Sequence, residues 1–553
     1  MAAPEPPPPE PPPPEPPPPD PAAPEPAVPQ PVPAAAYESV AAVIRARAAA
    51  DPAAIAITGD GRQLTFGELD ERSSRLASAL AGLGVRRGDR VAYLDQNATE
   101  FWETMFAAAK LGAVMTPLNF RLAGPELRAI LEDAEPAVLI AAAAILDRLD
   151  PDAVPTATTL VRVGPGEGAA TDYEPLLATG APADPGEQAT GSELAVLMYS
   201  SGTTGASKGV CITAENLLTG VATFVAEFAP DTNSRSLVPP PYYHIAASGW
   251  SLIALSQGGQ VVQVREPRPD HLLNLMQAHA TTHAALVPAI IQVMVELPQA
   301  RTADFSSLRT VVYGASPIDP GLLRRAVDLF QAEFTQTYGL TETVGVATLL
   351  RPDDHRLADP ARLRSAGRAA ACVQLAVTDP ATGAILPAGQ TGEVVIRGPN
   401  VTPGYWRRPE ATAALFRPGG WLRTGDAGHL DADGYLTIAD RIKDIIISGG
   451  ENIIPGEVER VLAEHDGVLE AAVIGVPSPR WGETPVAFVV RRPDRDTAPS
   501  QDELLAFCRE RLAHYKCPTR VEWVDALPRN PSGKVLRREL RAPYWQHLDR
   551  QVG

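Results

Sequence analysis

The chain has 553 residues, too many for a single ordinary hydrophobic core, so at least two domains are expected. Its composition, 45% hydrophobic and 21% charged, is that of a globular protein. A formal charge of −18 repels nucleic acid and anionic membrane surfaces, so any bound polyphosphate has to be held by local donors and a metal ion.

Residues 1–36 form a proline tract in which Glu-Pro-Pro-Pro-Pro recurs at Glu5, Glu10 and Glu15, with Asp20 starting a degraded copy. Proline removes backbone donors and the tract lacks apolar side chains, so it is expected to stay extended, solvated and disordered. No aromatic or basic anchor flanks the prolines, which favours an acidic spacer over a docking ligand. No basic segment followed by an apolar core opens the chain, so a secretory signal is not expected.

Order is expected from Tyr37. Thr65-Phe-Gly-Glu68 is a capping box that opens a helix with Leu69, Leu76, Leu80 and Leu83 on one side, and Gly84 can end it. A strand at Arg90–Leu94, a helix at Thr99–Leu111 and a strand near Val114 follow. This alternation predicts α/β layering and continues through the middle of the chain. The longest apolar run, Ala137–Leu146, is half the length of a membrane span. The glycine-containing stretch at 164–168 reads as a surface turn. Near Asp440 the pattern shifts to a smaller α+β unit, with a helix after Pro455, strands at Leu469–Val476 and Val486–Val490, and a helix at Gln501–His514. Cys211, Cys372, Cys508 and Cys517 lie far apart with no CxxC pair, which argues against a zinc site or a disulfide framework and for reduced thiols in the cytoplasm.

The strongest chemical signal is Tyr199-Ser-Ser-Gly-Thr-Thr-Gly-Ala-Ser-Lys-Gly-Val210, directly after an apolar strand at Leu194–Met198. Gly202, Gly205 and Gly209 let the backbone turn tightly with its N–H groups inward, while hydroxyls and Lys208 add donors and charge. This is a polyphosphate cradle without the Gly-Lys-Ser/Thr ending of a Walker loop. Gln336-Thr-Tyr-Gly-Leu-Thr-Glu-Thr343 places a carboxylate, suited to a hard cation, at the mouth of a strand. Tyr313-Gly-Ala-Ser-Pro317, Trp421-Leu-Arg-Thr-Gly-Asp426, Asp440-Arg-Ile-Lys-Asp444, Ser448-Gly-Gly-Glu-Asn452 and Leu527-Pro-Arg-Asn-Pro-Ser-Gly-Lys534 complete the series.

These motifs, in this order over roughly residues 37–545, resemble those of the adenylate-forming superfamily of acyl-CoA synthetases, peptide-synthetase adenylation domains and firefly luciferase, and bacterial fatty-acyl-CoA ligases above all. Ser207 and Ala214 stand where that family usually has proline and histidine. The resemblance implies an α/β fold: a large multi-subdomain N-terminal adenylate-forming domain over 37–440, a hinge at 441–443, and a small mobile α+β C-terminal domain over 444–553. It also implies ATP, Mg²⁺ and coenzyme A as cofactors. By it, Ser200, Ser201, Gly202, Thr203, Thr204, Gly205 and Lys208 would hold the phosphates, and Gly314, Ala315 and Ser316 would line the adenine. Tyr338 with Gly339 would pack on the adenine, Thr341 would bind the α-phosphate and Glu342 the metal. Asp426 and Arg441 would bind the ribose, and Lys534 would reach the substrate carboxylate. Lys443 would be the hinge, and Ser448, Gly449 and Gly450 would line the thiol tunnel.

The acid is less legible. Pro239-Pro-Pro-Tyr-Tyr-His-Ile-Ala-Ala-Ser-Gly-Trp250 resembles the segment that opens the family's acyl pocket, so His244, Ala247, Gly249, Trp250, Gly314 and Leu340 are its candidate lining. The expected substrate is a medium- or long-chain fatty acid, with an aromatic or a terpenoid or steroid acid as alternatives. No acidic residue in that segment could hold an α-amino group. The run from Thr391 to Asp426 has no room for the insertion of ligases that stop at the adenylate and load a carrier protein, so coenzyme A is favoured over that alternative. A non-catalytic scaffold is disfavoured by retention of Lys208, Glu342, Asp426, Arg441 and Lys534. The sequence allows a homodimer and names no partner for the proline tail.

Overall fold

The computed structural model describes residues 36–545, apart from 60, 148, 150–153, 201–206, 316–317, 356–361, 442–443, 449–450, 479, 493–498 and 530–533. The proline tract therefore lies outside the described residues, among which four sheets form.

The expected opening elements are present. The helix Phe66–Gly82 begins at Thr65, whose hydroxyl accepts from the Glu68 N–H while the Glu68 carboxylate accepts from the Thr65 N–H. It ends where Gly84 takes φ +96° and Val85 donates back to Leu80. The strand Arg90–Leu94, the helix Thr99–Lys110 and the strand Val114–Pro117 make a parallel βαβ unit. They belong to a seven-stranded sheet that is parallel except where Leu194–Ser200 meets Lys208–Thr213. Its interior strand Val138–Ala142 is buried throughout, as a strand covered on both faces must be.

A nine-stranded, mainly parallel sheet carries Thr310–Gly314 beside Glu333–Tyr338. One apolar cluster joins the two large sheets, drawing Val91, Met115 and Met198 from one and Ile57, Val261 and Val312 from the other. Within it lie the helices Ala214–Phe228 and Ile245–Ser256. The second is apolar on nearly every side and correspondingly buried on nearly every side.

A five-stranded antiparallel sheet follows and ends with Leu436–Arg441. A second five-stranded sheet takes Ile446–Ser448, Glu451–Ile453, Val468–Ser478, Gly482–Arg491 and Arg520–Trp523. Sheet membership thus changes between Arg441 and Ile446. The last of the expected helices is shorter than its pattern: Gln501–Arg509 stops, and His514–Lys516 forms a separate 3₁₀ turn. Pro518 requires an extended residue before it, and Cys517 is extended, so the helix could not continue into this turn's end.

Candidate functional site

The phosphate-cradle segment is held at both ends. Ser200 pairs with Lys208 across the antiparallel ladder; Ser201, Gly202, Thr203, Thr204 and Gly205 lie outside the described residues. Lys208 reaches over the Tyr405 ring, with Nζ 4.9 Å from its centroid. Tyr405 donates its hydroxyl to Glu342 Oε1 at 2.8 Å. Burial and the adjacent carboxylate push the Tyr405 phenol far above its ordinary range, so it stays a neutral donor. Lys208, Tyr405 and Glu342 therefore form one cluster from three separate segments. Sequence reasoning missed Tyr405, although Gly404-Tyr405 carries a signal. A side chain at Gly404 would strike Thr412, so only glycine lets the strand approach that closely.

Glu342 sits in the turn Thr341–Thr343, which is fastened by other parts of the chain. Asn400, fully buried, donates from Nδ2 to the Thr343 and Val346 carbonyls at 2.8 and 2.7 Å. The Thr402 N–H donates to the Glu342 carbonyl at 2.8 Å. Asn216, in the helix Ala214–Phe228, in turn donates to the Pro399 and Val401 carbonyls. Gly339 is required because a Cβ there would lie 2.4 Å from the Gly345 backbone. The turn bearing Thr341 and Glu342 is thus built for one geometry.

On the same strand, Tyr338 donates to Asp426 Oδ2 at 2.6 Å. Asp426 is 7% exposed, and its backbone pairs with Arg441 across the antiparallel ladder. The Thr-Gly-Asp and Asp-Arg motifs, distant in sequence, are consequently neighbours. Gly314 must lack a side chain, because a Cβ would meet the Thr337 carbonyl oxygen at 2.5 Å. Ala315 follows in the left-handed region at φ +66°, a conformation that costs about 1–2 kcal/mol for a residue with a Cβ.

An apolar cavity of about 90 Å³ runs between the two core helices and the nine-stranded sheet. Gly220, Gly249, Gly314 and Gly345 give it flat walls, and Phe224 and Trp250 border it. Of the expected acyl-pocket residues, Gly249, Trp250 and Gly314 line it, whereas His244, Ala247 and Leu340 are not among its lining. His244 instead precedes the helix Ile245–Ser256 and packs on Tyr243 at 4.4 Å between ring centroids. Its Nε2 is enclosed with no hydrogen-bond partner among the described residues, and burial, with nearby Arg121, lowers the imidazole to about 4.

Ser448 pairs with Glu451 and with Gly482; Gly449 and Gly450 lie outside the described residues. Lys534 is half-buried and directly precedes Val535, which bridges to Arg529. Ser316, Lys443 and the Arg441 side chain lie outside what is described.

The AMP-binding enzyme model matches residues 44–406, and the AMP-binding enzyme C-terminal domain model matches 457–534. The chain belongs to the AMP-binding enzyme family. With acyl-CoA ligases among its relatives, it is an AMP-forming acid–thiol ligase that uses ATP, Mg²⁺ and coenzyme A. Among relatives, it is 42% identical over 498 residues to a feruloyl-CoA synthase of Amycolatopsis sp, covering 90% of this chain and 97% of that one. It is 36% identical over 485 residues to a long-chain-fatty-acid–CoA ligase of Mycobacterium tuberculosis, covering 87% and 93%. The ATP-bound structure of MatB from Rhodopseudomonas palustris superposes with a TM-score of 0.84 at 31% identity, covering 91% of this chain and 99% of that one. No described helix is long and apolar enough to cross a membrane.

The site fits a phosphate-bridging Mg²⁺. No group of three or more His, Cys, Asp or Glu residues forms a metal cage among the described residues, and Glu342 offers a single carboxylate. One protein carboxylate completed by phosphate oxygens and water is the usual arrangement for Mg²⁺.

Proposed function

We propose that this enzyme joins a compact aromatic acid to coenzyme A through an acyl-adenylate. The observation that carries this reading is that the apolar cavity and the polar cluster share one segment. Thr337, Val344 and Gly345 line the cavity, while Tyr338, Thr341 and Glu342 between them form the nucleotide face. An acid seated in the cavity would present its carboxylate to that face.

A carboxylate does not react with a thiol, because its oxide is a poor leaving group. In the first step a carboxylate oxygen attacks the α-phosphorus of ATP and pyrophosphate leaves. Charge builds on the phosphoryl oxygens, so fixed donors are the main catalytic resource. Lys208, the 200–209 backbone, Thr341 and Lys534 are assigned that role, and Asp426 and Arg441 hold the ribose. Glu342 would hold Mg²⁺, which when bound would supply charge neutralisation for the phosphates. In the second step the thiol attacks the same carbonyl and AMP leaves. No general base is assigned to the first step, since the attacking carboxylate is already ionised. Residues 37–440 and 444–553 are taken as the two domains. Rotation about Lys443 would withdraw Lys534 and bring Ser448, Gly449 and Gly450 to the thiol path.

The cavity lining supports an aromatic acid over a long alkyl chain. A lining that combines four glycines with Trp250 and Phe224 suits a planar ring, and the feruloyl-CoA synthase relative agrees. A medium-chain fatty acid is the second reading, favoured by a lining that is almost wholly apolar. A cytoplasmic location is in keeping with four free cysteines. Incubation with Mg·ATP, coenzyme A and a pool of benzoates, cinnamates, fatty acids and polycyclic acids, read by mass spectrometry, tests the proposal. An aryl-CoA is the expected product. A fatty acyl-CoA alone would overturn the aromatic assignment, and an acyl-AMP without thioester would overturn coenzyme A as acceptor.

A further inference from the structure

Beside the acid cavity lies a second, much smaller one, of about 10 Å³, room for one water-sized group. It faces the other large sheet. Met115 and Pro117 come from one strand, Val196 and Met198 from its neighbour, and Met105 from the helix Thr99–Lys110. Three of the six methionines in the chain thus converge on this small space. Two residues border both cavities: Leu217, on the helix Ala214–Phe228, and Ile245, at the start of the helix Ile245–Ser256. Both are buried, at 2% and 8% exposure. The Ile245 side chain lies against Gly249 and Gly345, glycines of the acid cavity's wall, and a Cβ at Gly345 would meet Ile245 Cγ2 at 3.5 Å.

We infer that Leu217 and Ile245 are a partition that sets the length limit of the acid, and that the methionine-lined space is the direction in which the acid site would extend. This rests on reading the larger cavity as the acid site. The physical basis is the contrast between the two sides of the partition. Leu217 and Ile245 are branched and held by core packing, so they stop a substrate at a definite depth. Behind them stand unbranched thioethers with three rotatable bonds each, which can swing to admit an added group. Ser248 is the one polar side chain in the small cavity's lining, and its hydroxyl is already bonded to the His244 carbonyl at 3.2 Å. The extension would therefore accept apolar atoms and nothing charged.

The test uses the full-length enzyme with two acid series of increasing length, 4-alkylbenzoates and straight-chain fatty acids, and thioester formation as readout. For the native protein, kcat/KM should drop by about tenfold or more for each added methylene once the cavity is full, the discrimination an apolar pocket gives against one methylene too many. Leu217→Ala and Ile245→Ala should move that drop to longer acids in both series and lower kcat/KM for the shortest acids. Adding Ser248→Leu to Leu217→Ala should return the drop towards its native position, because it refills the space behind the partition. Melting curves accompany each variant. If the alanine variants fail to fold, Ile245→Val provides the milder opening and should shift the limit in the same direction by less. Folded variants with the native length limit would overturn the partition while leaving the acid site standing. A native protein that makes thioesters from none of these acids would overturn the acid-site reading and the partition with it.

Discussion

The proposed nucleotide face and the proposed acid cavity share one segment of chain but are built on opposite principles. On the proposed nucleotide face polar groups are paired with one another: Tyr338 with Asp426, Tyr405 with Glu342, Asn400 with two carbonyls. The cavity's lining is almost wholly apolar, so it would distinguish one acid from another by shape. A polar site depends on residue identity, since an unmatched buried partner costs about 1–3 kcal/mol. An apolar site depends on volume, which many residue combinations can supply. Chemistry is therefore concentrated at a few positions and specificity is spread over many.

The comparison is sharpened first by Lys534→Ala. Loss of a positioned donor to the developing phosphoryl charge should slow adenylation by about 10²–10³-fold. Thioester formation from supplied acyl-AMP should be largely spared, as separate half-reaction assays would show. An equal loss in both half-reactions would refute the two-conformation account.

Asn400→Ala tests whether the turn bearing Thr341 and Glu342 is held in place from beneath. Two buried carbonyls would lose their donor, and kcat/KM should fall by about 10–100-fold together with a lowered melting temperature. Dependence on Mg²⁺ concentration should shift as well, which loss of stability alone would not produce.

Gly249→Leu probes the other side. A Cβ there would meet only Ile245, at 3.8 Å, and Gly249 lines the cavity, so a leucine can be introduced at its wall. It should reduce kcat/KM for aromatic acids by about tenfold or more while sparing very short acids, and helix propensity would offset part of any packing loss. Equal losses for all acids would show that the cavity is not where the acid binds.

The smallest effect concerns His244. Its imidazole, at about 4, takes up a proton less readily than in the unfolded chain, where the ordinary value is 6.5. As pH falls from about 6.5 towards 4 the unfolded chain binds the proton first, so stability is lost over that window, by up to about 3 kcal/mol. Above pH 7 the group contributes no pH dependence. Chemical denaturation at pH 7 and pH 5 should show a smaller difference for His244→Asn than for the native protein.

This division also explains what the sequence made legible. The proposed nucleotide face could be assembled from the sequence because Tyr338, Glu342 and Asp426 sit in short motifs whose residue types the chemistry restricts. Helix Phe66–Gly82 was readable because its capping box is local. Tyr405 and Asn400 escaped notice, since each acts across a long sequence separation through a single hydrogen-bond geometry. The cavity was only half anticipated. Gly249, Trp250 and Gly314 line it, but so do Gly220, Phe224 and Val344, which a linear pattern cannot bring together. His244 was expected at the cavity because of its neighbours in sequence, yet in the fold it packs on Tyr243 at the foot of the helix.

The central claim, that the acid is activated as its adenylate, is tested most directly with an acid labelled with ¹⁸O in both carboxylate oxygens. Turnover with Mg·ATP and coenzyme A should leave one labelled oxygen in AMP and the other in the thioester carbonyl. Label in phosphate or pyrophosphate, with none in AMP, would contradict it.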